Sequence, residues 1–179
     1  FLFNVISTIN SKYSKYPFDL HKLEKWSLEH IHAQNSEDIK KKEDRVALLE
    51  SQKKYVDDYL LNKIQELINK DAIEDDEFNL LEYEIFKIYS DDVDIHTIDN
   101  LALLSSRDNS ALNNSIFPAK RDKIKDLDKE GSFIPICTKN VFLKYYSNDV
   151  KETLKWNRED RKYYLAEIKK TLKEYLGDE

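Results

Sequence analysis

Two glycines and three prolines in 179 residues are too few to turn or interrupt a chain often, and this scarcity constrains the fold more than any other feature. Long irregular loops and glycine-rich phosphate cradles are nearly excluded, and long helices are favoured. The length suits one domain with its own core. Eight Phe, eleven Tyr and two Trp give it apolar bulk that a disordered segment lacks. A single cysteine, Cys137, excludes an intrachain disulfide and a multi-cysteine zinc site, and it points to a reducing, cytoplasmic setting. It lies in an apolar run and reads as inert. No stretch of apolar residues is long enough to span a bilayer, and FLFNVISTIN has neither the basic start nor the apolar length of a signal peptide. The chain starts at Phe1 and has no Met, which points to a piece of a longer protein.

Changes in hydrophobic period divide the chain into blocks. Residues 1–27 open with a short helix, because Phe1, Val5 and Ile9 recur at i+4, and then turn at Lys15-Tyr16-Pro17 into a short strand at 28–31. Leu49, Val56, Leu60, Ile64 and Leu67 fall on one stripe, predicting a long amphipathic helix over 42–69. Phe78, Leu81, Ile85 and Ile88 predict a second over about 75–89, and the pair reads as a helical insertion spanning about 40–92. A second strand-like segment follows over 95–104. The polar run SSRDNSALNNS offers N-caps for a helix from about Asp108, which Pro118 either ends or follows with another. A C-terminal extension, about 132–179, combines an apolar extended segment over 132–146 with a closing helix over 158–176. The expected class is therefore α+β, predominantly helical, in one domain.

Net charge of -6 opposes indiscriminate binding to nucleic acid. The charge is uneven, however. The acidic excess gathers in 71–94, while 119–129 and 139–144 carry local positive charge and leave room for a basic rim.

The order of Trp26-Ser27-Leu28-Glu29-His30-Ile31-His32-Ala33-Gln34, then Ile98-Asp99-Asn100-Leu101-Ala102-Leu103-Leu104, then Asn109, Asn114, Phe117 and Lys120-Arg121 is the most specific feature. It resembles the C-terminal nuclease domain of GmrSD-type modification-dependent restriction enzymes, of the HNH or His-Me finger group. The spacing of Glu-His, Asn and a further Asn nine residues on is also similar to the HNH domain of RNA-guided DNA nucleases. KYPFDLHKLEKW before the motif and FIPICTKNVFLKYY after it extend the likeness over most of the chain.

The resemblance implies a small ββα-metal core embedded among packing helices, and metal-dependent cleavage of DNA. It gives His30 the role of general base, Glu29 and Asn109 that of metal ligands, and Asn100 that of bracing the loop. It further implies a bacterial phage-defence protein acting on DNA that is modified, with a nucleotide used only by an N-terminal domain absent from these residues. Glu29 departs from the Asp more common in HNH proteins and is a methylene longer, which leaves open ligation directly or through water.

The chemistry is consistent with these roles. In-line attack by water needs a base titrating near neutrality, which imidazole supplies. Carboxylate and amide oxygens suit Mg or Mn rather than zinc. Lys120 and Arg121 read either as contacts to substrate phosphates or as an ordinary charged helix face. His32 reads as an assisting or metal-binding residue or as surface histidine, and His96 as a brace for the loop. Asn114 reads as a supporting or merely solvated residue, and His21 as exposed. Because neighbours on a regular strand face opposite ways, the strand is expected to end or twist at Glu29-His30 if both are to serve one site. The alternative is a module of the same fold that has lost catalysis and binds protein or DNA.

Overall fold

The computed structural model describes residues 1–32, 39–89, 96–147 and 152–177. Its one sheet, among these residues, is a hairpin-like pair of antiparallel strands far apart in sequence: β1 (Trp26–His30) and β2 (Leu101–Ser105). The register pairs Ser27 with Leu104, Glu29 with Ala102 and His30 with Leu101. Backbone bonds extend the pairing past both ends, Ser106 N–H to Lys25 O at 2.6 Å and Ile31 N–H to Asn100 O at 2.8 Å. Side-chain alternation gives the sheet two faces. Ser27, Glu29, Ala102 and Leu104 lie on the covered face, while Leu28 is exposed on the other.

Two helices precede the sheet, α1 (Leu2–Thr8) and α2 (Phe18–Leu23). Between its strands run α3 (Lys42–Gln52), α4 (Asp58–Ile68) and α5 (Asp75–Tyr89). Directly after β2 comes α6 (Ser106–Leu112), followed by α7 (Phe117–Lys129), α8 (Ile136–Phe142), α9 (Arg158–Thr171) and α10 (Lys173–Leu176). The chain is thus mostly helical with a small antiparallel sheet, in the α+β class expected. No described helix is long and apolar enough to cross a membrane.

The apolar residues form two clusters. One surrounds the sheet and joins Phe3, Ile31, Leu104, Leu112, Phe117, Phe142 and Tyr164. The other lies among α3, α4 and α5, with Leu48, Ile64, Phe78 and Ile85 at its centre and Ile116 and Ala119 reaching in from the start of α7. Each such fully buried side chain contributes about 1.5–3 kcal/mol relative to exposure. The segment between the strands thus packs around a second cluster, which it shares with the start of α7.

Four expectations are corrected. The helix predicted over 42–69 is broken, because Asp57 turns extended and its side chain caps α4 by accepting from Leu60 N–H. A 3₁₀ turn at Lys53–Tyr55 and an extended Val56 complete the break. The segment 132–146, expected to be extended, contains α8; Pro135 fixes the residue before it, and Cys137 and Val141, four apart, are buried on its inner face. Pro118 lies in the first turn of α7, so it begins that helix rather than ending α6. The strand predicted at 28–31 runs instead from Trp26 to His30, and α6 starts two residues earlier than Asp108 because Ser105 caps it. Ala33 and Gln34 of the motif, the acidic stretch 90–94 and Ile95 lie outside the described residues.

Candidate active site

Strand β1, strand β2 and helix α6 carry the motif residues, with Glu29 and His30 on opposite faces of β1. Ser105 ends β2 and caps α6, its hydroxyl accepting from Asp108 N–H at 3.1 Å. The helix turns back over β1. There the Asn109 amide Nδ2 donates to Ser27 Oγ at 2.7 Å and to Leu28 O at 3.3 Å. Its Oδ1 accepts no bond among the described residues. Since Ser27 and Glu29 share the covered face of β1, Asn109 and Glu29 lie on the same side of the strand.

Asn100 is fully buried and its amide clasps the backbone of His32 in both directions. Oδ1 accepts from His32 N–H and Nδ2 donates to His32 O, both at 2.9 Å. With Ile31 N–H held by Asn100 O, the chain leaving β1 is pinned at two successive residues. Asn100 thus has the geometry of a brace.

His30 ends β1, half-buried, and its Nε2 lies 3.2 Å from Nδ1 of His96. Burial lowers its imidazole pKa below the ordinary value, helped by the nearby positive charge of Lys120 and by His96. A neutral ring is favoured near neutrality, which is the form that accepts a proton. Glu29 and His30 diverge, as alternation requires, and the ladder runs one bond past His30 to the buried Ile31, so the end or twist expected at Glu29-His30 does not bring the two side chains to one face. Glu29 contacts Lys120; His30 contacts His96.

Lys120 corrects an expectation. It is 1% exposed, and its ammonium bonds to Glu29 Oε1 and, at 2.7 Å, to His30 O. It offers no face to a phosphate and works instead as an internal tie between the two motif residues. Burial pushes the Glu29 carboxyl up and the Lys120 ammonium down, each against ionisation, while their mutual attraction favours the charged pair. Arg121 is half-buried with Nη1 donating to Thr153 O at 2.8 Å. His32 is buried beside Phe86 rather than on the surface. Asn114 is exposed, and His21, expected to be exposed, is half-buried, stacked on Trp26 and bonded to Tyr16.

Two residues missed in the sequence now matter. Ser27 holds the Asn109 amide, a role foreshadowed only by its i−2 relation to Glu29 on a strand. Arg107, mostly exposed on α6 beside Asn109, pairs through Nε with the buried Asp108 at 3.2 Å and presents the rest of its guanidinium to solvent.

Among the described residues no three His, Cys, Asp or Glu side chains gather as a metal cage. The donors expected here are different, a carboxylate and an amide. Lys120 occupies one oxygen of Glu29, and the Asn109 amide nitrogen is committed to Ser27 and Leu28, which leaves Glu29 Oε2 and Asn109 Oδ1 as the donors to be tested. Two hard oxygen donors of this kind fit a magnesium-like ion that keeps most of its waters. No protein-family model, curated protein or solved structure matches the chain.

Proposed function

We propose that the chain is a divalent-metal-dependent DNA endonuclease domain of the HNH, His-Me finger type. In this reading β1, β2 and α6 are its ββα core. The observation that carries the reading is the clasp of Asn100 on the loop after His30, combined with Asn109 turned onto β1 nine residues later. It supports the sequence resemblance to GmrSD-type nucleases through roles that the bare spacing did not specify. On the same resemblance, the chain belongs to a bacterial, cytoplasmic restriction or phage-defence protein. The substrate is modified DNA, and nucleotide use resides in an N-terminal domain.

His30, neutral and fixed at the strand end, takes a proton from water as that water adds to phosphorus and the P–O bond to the leaving oxygen breaks. Glu29 and Asn109 would hold a Mg or Mn ion, which supplies charge neutralisation at the phosphate oxygens. Asn100 keeps the loop behind His30 from moving, so the imidazole approaches from one direction. Arg107 takes over the phosphate contact that Lys120 is too buried to make, with Arg121 as a second cation.

The Glu29–Lys120 pair favours the second reading, a scaffold without catalysis, because it already satisfies part of the carboxylate. Nicking of supercoiled plasmid by the chain at low salt separates the two. The nuclease reading expects nicking with Mg or Mn, none with EDTA, and none with His30→Ala. Cleavage that survives EDTA and His30→Ala, or its absence at any protein concentration, overturns it.

A further inference from the structure

His96 and His30 come from segments 66 residues apart, yet their ring nitrogens meet at 3.2 Å with the planes at 75°. The contact involves one specific atom of His30, Nε2. That nitrogen is directed at His96 Nδ1 and is therefore occupied. A base needs a lone pair facing the water, so if His30 is the base, the proton must go to its Nδ1. This is possible for a neutral ring only when Nε2 carries the hydrogen.

The turn that follows His96 is tied to the core. The 3₁₀ turn just after it, Ile98–Asn100, ends in the buried Asn100 that grips His32. Thr97 and Asp99 hydrogen-bond each other and are both clasped by the Arg161 guanidinium from α9, with Arg161 Nη2 at 2.8 Å from Asp99 Oδ1. The residues between His96 and the brace are thus anchored to the core through a second helix.

We propose that His96 is a positioning residue that selects the tautomer of His30: its Nδ1 accepts the His30 Nε2–H and leaves His30 Nδ1 as the basic atom. This inference rests on the nuclease reading for its functional meaning, but the tautomer is an observable in its own right. His96 thereby acts through His30 and need not touch the substrate.

The chain has four histidines, so histidine-selective ¹⁵N labelling gives a readable long-range ¹H–¹⁵N spectrum. Three proteins decide the matter: the native chain, His96→Leu, which removes the acceptor, and His96→Asn, whose Oδ1 can replace Nδ1 as acceptor. His96 is exposed, so neither change empties the core. The native spectrum is expected to show His30 protonated at Nε2 with a bare Nδ1, His96→Leu to show a mixture of tautomers, and His96→Asn to restore the native pattern. In plasmid nicking, kcat should fall by about 10²-fold in His96→Leu with KM little changed, and recover most of that loss in His96→Asn. A native His30 protonated at Nδ1, or a tautomer indifferent to His96→Leu, overturns the inference. A native chain that shows the expected tautomer but never nicks DNA sinks the nuclease reading and leaves the tautomer assignment standing.

Discussion

The Lys120 ammonium is bonded to the Glu29 carboxylate in the interior, Lys120 at 1% and Glu29 at 7% exposure. Lys120 arrives from α7, and the same ammonium reaches the carbonyl of His30. Two charges taken out of water recover their desolvation cost only through such geometry. Removing one partner is therefore worse than removing both. Lys120→Met should destabilise the chain by about 3–5 kcal/mol, whereas Lys120→Met combined with Glu29→Gln should cost clearly less. Urea unfolding of the two single variants and the double variant checks this. Additive losses would mean the pair has no coupling.

Asn100→Ala removes both hydrogen bonds to His32 and leaves a buried N–H and C=O without those partners. At about 1–3 kcal/mol for each orphaned group, the expected loss is about 2–6 kcal/mol. Amide exchange at His32 should accelerate more than exchange in α9. An equal acceleration everywhere would show global destabilisation with no role as a local brace.

Helix α5 is legible in the sequence because its apolar residues keep one period, as Phe78, Leu81 and Ile85 do. Helix α1 forms where predicted, but Phe1 and Ile9 of its stripe are exposed and Phe3, Asn4 and Thr8 are its buried residues, while the closing helix predicted over 158–176 is interrupted at Leu172. The break in 42–69 was hidden because Leu49, Val56 and Leu60 keep a helical stripe across it. Only the cap chemistry of Asp57 reveals the stop. The run 132–146 reads as an apolar extended segment, whereas Pro135 at the start of α8 and the packing of Cys137 and Val141 against the core make part of it helical. In the site, the spacing of Asn100 and Asn109 conveyed which residues meet β1. The partner of Lys120 was not legible, since a charged residue on a helix with exposed cations reads as surface until the tertiary fold brings Glu29 beneath it. The His30–His96 contact likewise joins segments that only the strand register brings together.

Stability should fall in acid partly through Asp99. Burial opposes ionisation of this carboxyl, but hydrogen bonds from Arg161 and Thr97 outweigh it and hold the pKa below the ordinary 3.8. A lowered folded-state value means that the contribution is full above the unfolded value and is lost as pH falls through the folded one. Thermal unfolding of the native chain should therefore steepen its decline as pH drops below 3.8. The difference between the native chain and Asp99→Asn should shrink over that range. A difference that stays constant with pH would assign the Arg161 clasp no electrostatic share.

Arg45 is the counterpart of Lys120 in the helical insertion, a buried cation that ties three chain segments. Nε donates to Ile39 O at 2.8 Å and Nη1 to Ile73 O at 2.6 Å, while Nη2 pairs with Asp75 at the start of α5. The guanidinium also lies 4.9 Å from the centre of the Phe78 ring. Only a planar group with divergent donors meets these partners at once. Arg45→Met should destabilise by about 2–4 kcal/mol, since two carbonyls lose their donor. Arg45→Lys, which keeps the charge but not the fork, should recover less than half of that. Proteolysis under native conditions should then cut first within α3–α5. If Arg45→Lys restores native resistance, charge alone holds the insertion and the fork geometry is incidental.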